Sequence, residues 1–192
     1  MRFQTYGKAL LAGACLLLPI GAPAQSPSHP PDRLDVAVTY NALQANVVEG
    51  SRFWMNGGSA QVAIHFRPGW SVIADAAAQH TGDMASTGIS LNLFTLTFGP
   101  QYAVRMRRAV LFGQARFGLA RGSDSLFPVG SSAPTSDLGA AYGLGGGVDL
   151  PLKRRLSLRL AQAEWSRTQL DNLSANGQNS LRLSAGLVLH LR

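Results

Sequence analysis

The chain has 192 residues, 17 Lys+Arg against 10 Asp+Glu, and 46% hydrophobic content, a length and composition that suit one folded domain behind a leader. Its single cysteine, Cys15, lies in an N-terminal apolar run, so the mature part has no disulfide, thiol nucleophile or cysteine metal site. The basic residues are dispersed arginines rather than one patch, and with export they argue against nucleic acid as a partner.

Residues 1–24 have the three parts of a secretory signal peptide. Arg2 and Lys8 precede the apolar run Ala9–Ile20, and Gly21-Ala22-Pro23-Ala24 supplies the small residues of a cleavage site. The run is shorter than the roughly 20 apolar residues of a spanning helix. Leu16-Leu17-Leu18 continue past Cys15, which argues against a lipid-modified cysteine. Residues 25–33 form a Pro/Ser linker in which His29 is a solvated side chain, not a metal ligand. Without Arg2 and Lys8 the mature chain keeps 15 basic and 10 acidic residues. Anionic lipid headgroups and paired arginines in an interior account for that excess.

From Leu34 onward the hydropathy alternates with a period of two, the signature of strands with one apolar and one polar face. The first strand sets Leu34, Val36, Val38 and Tyr40 against Asp35, Ala37, Thr39 and Asn41. Residues 43–58 are expected to form a long connection that ends in the turn signal Asn56-Gly57-Gly58. Ala60, Val62, Ile64 and Phe66 then alternate with Gln61 and His65 up to the reversal Arg67-Pro68-Gly69. The third strand, Trp70 to His80, places Asp75 and Gln79 opposite Val72, Ala74 and Ala76. After the loop 81–87, a fourth strand runs from about Ile89 to Tyr102 and ends at the basic turn Arg105–Arg108.

The fifth strand starts at Ala109 and sets Gln114 and Arg116 against Leu111, Ala115, Phe117 and Leu119. A Ser/Pro/Gly loop, 122–137, leads to the sixth strand, 138–150, where Gly143, Gly145, Gly147 and Asp149 oppose Tyr142, Leu144, Val148 and Leu150. The basic turn 151–155 precedes the seventh strand, with Ser157 and Arg159 opposite Leu156, Leu158 and Leu160. Its parity is lost near Gln162 and Glu164, which marks a candidate β-bulge. After the loop 168–177, the closing strand places Leu181, Leu183, Ala185, Leu187, Leu189 and Leu191 on one face and Arg182, Ser184, Gly186, His190 and Arg192 on the other; only Val188 breaks the rule.

Eight strands result, joined by connections that alternate long and short. An even strand number, short turns on one side and longer loops on the other are the features of outer-membrane barrels. Trp54, Trp70, Tyr102 and Trp165 near strand ends suit interfacial girdles. The segments WMNGG at Trp54, FGPQY at Phe98, GGGVD at Gly145, RLAQAEWSRT at Arg159 and NSLRLSAGLV at Asn179 make the chain similar to small outer-membrane β-barrels of the OmpA/OmpX-like type. That resemblance covers the mature chain and implies an all-β, eight-stranded antiparallel transmembrane barrel over 34–192; no peptidoglycan-binding domain is expected after the eighth strand. It further implies, as partners, outer-membrane lipid, lipopolysaccharide and the barrel assembly machinery, and a monomer. The chain departs from the pattern at its end, where Leu191 stands in place of the usual terminal aromatic residue.

In such a barrel the apolar face meets lipid and the polar face fills the lumen. The lumenal network then comprises Asp35, His65, Asp75, Gln79, Gln114, Arg116, Asp149, Arg159 and Arg182, with Gln61 and Gln101 beside them and Glu164 if the seventh strand shifts parity. Eight strands enclose just enough space for side chains, so a plugged interior of paired charges is expected rather than a pore. The small residues Gly143–Gly147 are expected to make room for arginines, since neither a P-loop lysine nor a βαβ unit accompanies them.

No catalytic, cofactor or metal site is expected. Some barrels of this type modify lipid A, but His65, His80, Ser86 and His190 have no diagnostic spacing. Asp83, Asp124, Asp137 and Asp171 are isolated loop residues without a calcium repeat. The expected role is structural or surface-interacting, with the loop 122–137 as the contact surface. The alternative is an exported lipocalin-like barrel with an apolar interior and polar exterior; a narrow pore is a lesser one.

Overall fold

A computed structural model describes residues 34–46, 52–83, 90–124, 135–170 and 177–191. The leader, the linker and Arg192 lie outside the described residues. The eight strands are β1 (Leu34–Asn46), β2 (Arg52–Arg67), β3 (Trp70–Thr81), β4 (Leu91–Arg105), β5 (Val110–Ser123), β6 (Ser136–Lys153), β7 (Leu156–Thr168) and β8 (Gln178–Leu191). Each pairs antiparallel with its sequence neighbours, and β1 pairs with β8 to close the barrel. Closure leaves no unpaired strand edge. The seam aligns Val36 with Leu189 and Val38 with Leu187, so both strands turn the same parity outward.

The alternation is inside-out. Val38, Ile64, Val72, Phe98, Phe117, Leu144, Leu160, Leu183 and Leu187 are exposed on the outer wall, whereas Asp75, Arg116, Arg159, Glu164 and Arg182 are buried. Val188, the one apolar residue on the polar face of β8, points inward and is buried.

Strands and loops differ from expectation mainly between residues 43 and 58. This segment is strand: β1 continues to Asn46 and β2 begins at Arg52, with Leu43 opposite Met55 and Tyr40 opposite Gly58. Asn56-Gly57-Gly58 is not a turn. A Cβ on Gly57 would lie 1.9 Å from the carbonyl oxygen of Ala78, so glycine there permits close approach of β3 rather than a reversal. The same extension gives the interior an apolar end. Leu43, Phe53, Met55, Leu93, Ala120, Ala141 and Leu170 form a buried cluster at the long-loop side. The short connections are at 68–69, 106–109 and 154–155; the longer ones are 47–51, 82–90, 124–135 and 169–177.

At the other expected irregularity, the register of β7 shifts between Arg159 and Gln162. Leu160 and Ala161 are both exposed, and beyond them the parity is reversed, so that Gln162 and Glu164 join Ser157 and Arg159 inside. A bulge therefore lets one strand aim side chains of both parities into the same interior.

Candidate functional site in the barrel lumen

The inward faces of six strands supply one continuous polar network. At its centre, β5 Arg116 and β8 Arg182 face β3 Asp75 and β7 Glu164. Arg116 Nη1 lies 2.5 Å from Asp75 Oδ1 and its Nη2 donates to Glu164 Oε2. Arg182 Nη1 donates to Asp75 Oδ1 at 3.2 Å and its Nη2 to Glu164 Oε2 at 3.4 Å. Two cations and two anions thus alternate around a closed ring, each side chain no more than 4% exposed. Buried charge is tolerated on these terms: every charge has an opposite neighbour, and removing one strands the others.

A second pair lies nearer the short turns. Arg159 donates to both oxygens of Asp149, at 2.9 and 3.0 Å, in a bidentate contact. Its guanidinium sits 4.4 Å above the Phe112 ring and also donates to Gln61 Oε1 at 2.6 Å and Gln162 Oε1 at 3.1 Å. Gln61 Nε2 donates to Gln114 Oε1 at 3.0 Å, and Gln114 Nε2 to Glu164 Oε2 at 3.3 Å. The two glutamines therefore bridge the pair to the ring.

A third cluster occupies the short-turn mouth. Asp35 Oδ2 is 2.9 Å from His65 Nε2, Asp35 Oδ1 is 2.7 Å from His190 Nδ1, and His190 Nε2 is 2.8 Å from Ser157 Oγ. Serine, histidine and aspartate stand in the connectivity of nucleophile, base and orienting acid. Yet Ser157 is 2% exposed, which leaves its hydroxyl no open approach for a substrate. The arrangement ties β1, β2, β7 and β8 together across the mouth.

All nine residues expected in the lumenal network point inward. Asp75, Arg116 and Arg182 share the ring, Gln114 bridges, Asp149 and Arg159 pair, and Asp35 and His65 lie at the mouth. Gln79 is buried beside a cavity of ≈30 Å³ that Thr97, Arg116 and Arg182 also line. Gln101 is buried. Ser157, His190, Gln162 and Phe112 complete the network, and of these the inward parity of Ser157 and His190 is legible in the sequence. The inward glycines of β6 make room for other groups than arginine: a Cβ on Gly145 would lie 2.9 Å from Glu164 Cβ, and one on Gly147 would lie 2.7 Å from the Phe112 ring.

His80 is exposed on the outer wall, where its Nδ1 meets Asn92 Oδ1 at 2.6 Å. Ser86 and Asp171 lie outside the described residues. Asp83, Asp124 and Asp137 do not converge, and no group of metal-ligating side chains occurs among the described residues.

Solved structures share this barrel architecture. Neisserial surface protein A matches with a TM-score of 0.64 at 14% identity, over 82% of this chain and 97% of that one. The fold is that of the small outer-membrane barrels. The Yersinia pestis attachment invasion locus protein Ail matches with a TM-score of 0.51 at 17% identity, over 81% of this chain and 97% of its own. No family model matches the chain, and no curated protein matches it by sequence.

Proposed function

We propose that the chain is an outer-membrane protein whose closed barrel holds four connecting loops at the cell surface for contact with a partner. One observation carries this reading: the barrel has lipid-type side chains outside and a charged, mutually paired interior. A lipocalin-like ligand carrier needs the opposite arrangement, an apolar cavity behind a polar wall. The interior also argues against conduction. The charged ring, the apolar cluster from Leu43 to Leu170 and the mouth cluster at Asp35 succeed one another, and the cavity beside the ring has room for only roughly two waters. The neighbours named as a surface protein and an attachment protein agree with a role for the loops. The longest connection, 124–135, is the proposed contact surface; its tip, 125–134, lies outside the described residues.

The proposal fixes which end faces outward. An epitope tag inserted at Ser131 is expected to be labelled by antibody on intact cells. A tag in the turn at Arg154-Arg155 is expected to be labelled only after the outer membrane is permeabilised. The reverse pattern would place the loops in the periplasm and end the surface reading.

A further inference from the structure

The charges of this barrel are sorted by height. In the lumen, Arg116, Arg159 and Arg182 are matched by Asp75, Asp149 and Glu164. Towards the long loops, Arg52, Arg121 and Arg167 are matched in number by Asp83, Asp124 and Asp137. The short-turn end is different. Arg67 closes β2, and Arg105, Arg107 and Arg108 surround the β4–β5 turn. Lys153, Arg154 and Arg155 make the β6–β7 turn, and all seven of these side chains are exposed. The one described carboxylate at that end, Asp35, is held inside the mouth by His65 and His190. None of the seven has a carboxylate partner among the described residues. The whole excess of positive charge in the described barrel therefore sits on one rim.

The rim is also a membrane boundary in its side chains. Phe66, Trp70, Tyr102, Val104, Met106 and Leu152 are exposed at the same level. Trp70 and Tyr102 pack with ring centroids 4.9 Å apart, as aromatic residues do at a headgroup layer. The amide of Ala103 donates to the carbonyl of Gly69 at 2.8 Å, which ties the first turn to β4 and keeps the basic turns side by side.

We propose that this rim is an electrostatic anchor for anionic phospholipid headgroups, drawn from the leaflet that the short turns face. The inference rests on the membrane reading above and adds the class of lipid. Two features select that partner over a soluble polyanion. The cations are continuous with the lipid-facing apolar wall, so their chains reach the headgroup region while the barrel is inserted. They are also spread over three turns around a circumference, which suits many small mobile anions rather than one linear chain. Basic side chains near an anionic surface each contribute enough to enrich acidic lipid locally, and salt screens the effect within a Debye length.

Quenching of tryptophan by brominated lipid tests this on the inserted protein. The variant Trp54→Phe/Trp165→Phe keeps only Trp70, at the basic rim. It is placed in phosphatidylcholine vesicles containing a minor fraction of brominated phosphatidylglycerol, or the same fraction of brominated phosphatidylcholine. Trp70 is expected to prefer phosphatidylglycerol about fivefold or more. That preference is expected to collapse in high salt, and when Arg105, Arg107, Arg108, Lys153, Arg154 and Arg155 are all changed to Gln. The variant Trp54→Phe/Trp70→Phe, which reports from Trp165 at the other rim, is expected to show little preference. Equal quenching of Trp70 by both lipids, or a preference that survives both salt and the glutamine changes, would overturn the anchor while leaving the barrel in the membrane. Absence of quenching by either lipid would remove the membrane reading itself, and the anchor with it.

Discussion

Leu183→Arg is expected to lower the stability of the membrane-inserted barrel by about 2–4 kcal/mol, the cost of an arginine facing lipid near mid-bilayer. Leu183 lies near the middle of β8, is exposed on the outer wall, and pairs with Ala42 on one side and Ala163 on the other. These small neighbours give the guanidinium no carboxylate within the wall. The check is reversible unfolding by urea in lipid vesicles, comparing wild type, Leu183→Arg and Leu183→Ala. The alanine variant keeps an apolar outer surface and is expected to lose far less. A Leu183→Arg barrel as stable as wild type would mean that this wall faces water, and the lipocalin-like architecture would return.

The second large effect belongs to the interior. Glu164→Ala leaves Arg116 and Arg182 facing Asp75 alone, and is expected to cost about 3–5 kcal/mol in the same measurement. Glu164 also accepts from Gln114, so its loss detaches the glutamine bridge that leads to Arg159. Arg182→Ala is expected to destabilise in the same sense by leaving the two carboxylates to share Arg116. The double variant Glu164→Ala/Arg182→Ala removes one charge of each sign. Its loss is expected to fall well short of the sum of the two single losses, because residues of one ionic network are coupled. Additive losses would show that the ring is a set of independent contacts.

The fold is legible in the sequence wherever the period of two persists. In β3 and β8 it persists and sets Asp75 and Arg182 on the polar face, which the loop pattern of an outer-membrane barrel turns inward. Between 43 and 58 that period fails: Asn56-Gly57-Gly58 is a common turn signal, and Phe53, Trp54 and Met55 are apolar on both parities because the lumen is itself apolar at this end. The apolar cluster around Leu43, Phe53 and Met55 is therefore hidden in the sequence, and the lumen reads as more uniformly polar than it is. Glu164 was legible only conditionally, because a bulge is a local backbone event that periodicity can locate but not resolve. Register was beyond reach altogether. That Arg116 and Arg182 meet the same two carboxylates depends on the stagger of strands far apart in the chain, as does the meeting of Asp35 with His190 at the seam. The sorting of charge between the two rims needed the topology, since along the chain the same arginines look dispersed.

This inside-out barrel is expected to fold in a bilayer. Fractionation of cells expressing the full chain, followed by electrophoresis of the membrane fraction with and without boiling, tests it most directly. Recovery in the outer membrane, with the unboiled protein migrating as a compact species that boiling converts to the unfolded mobility, is the expected result. Recovery as a soluble periplasmic protein with a single mobility would contradict the account and reverse the assignment of its two faces.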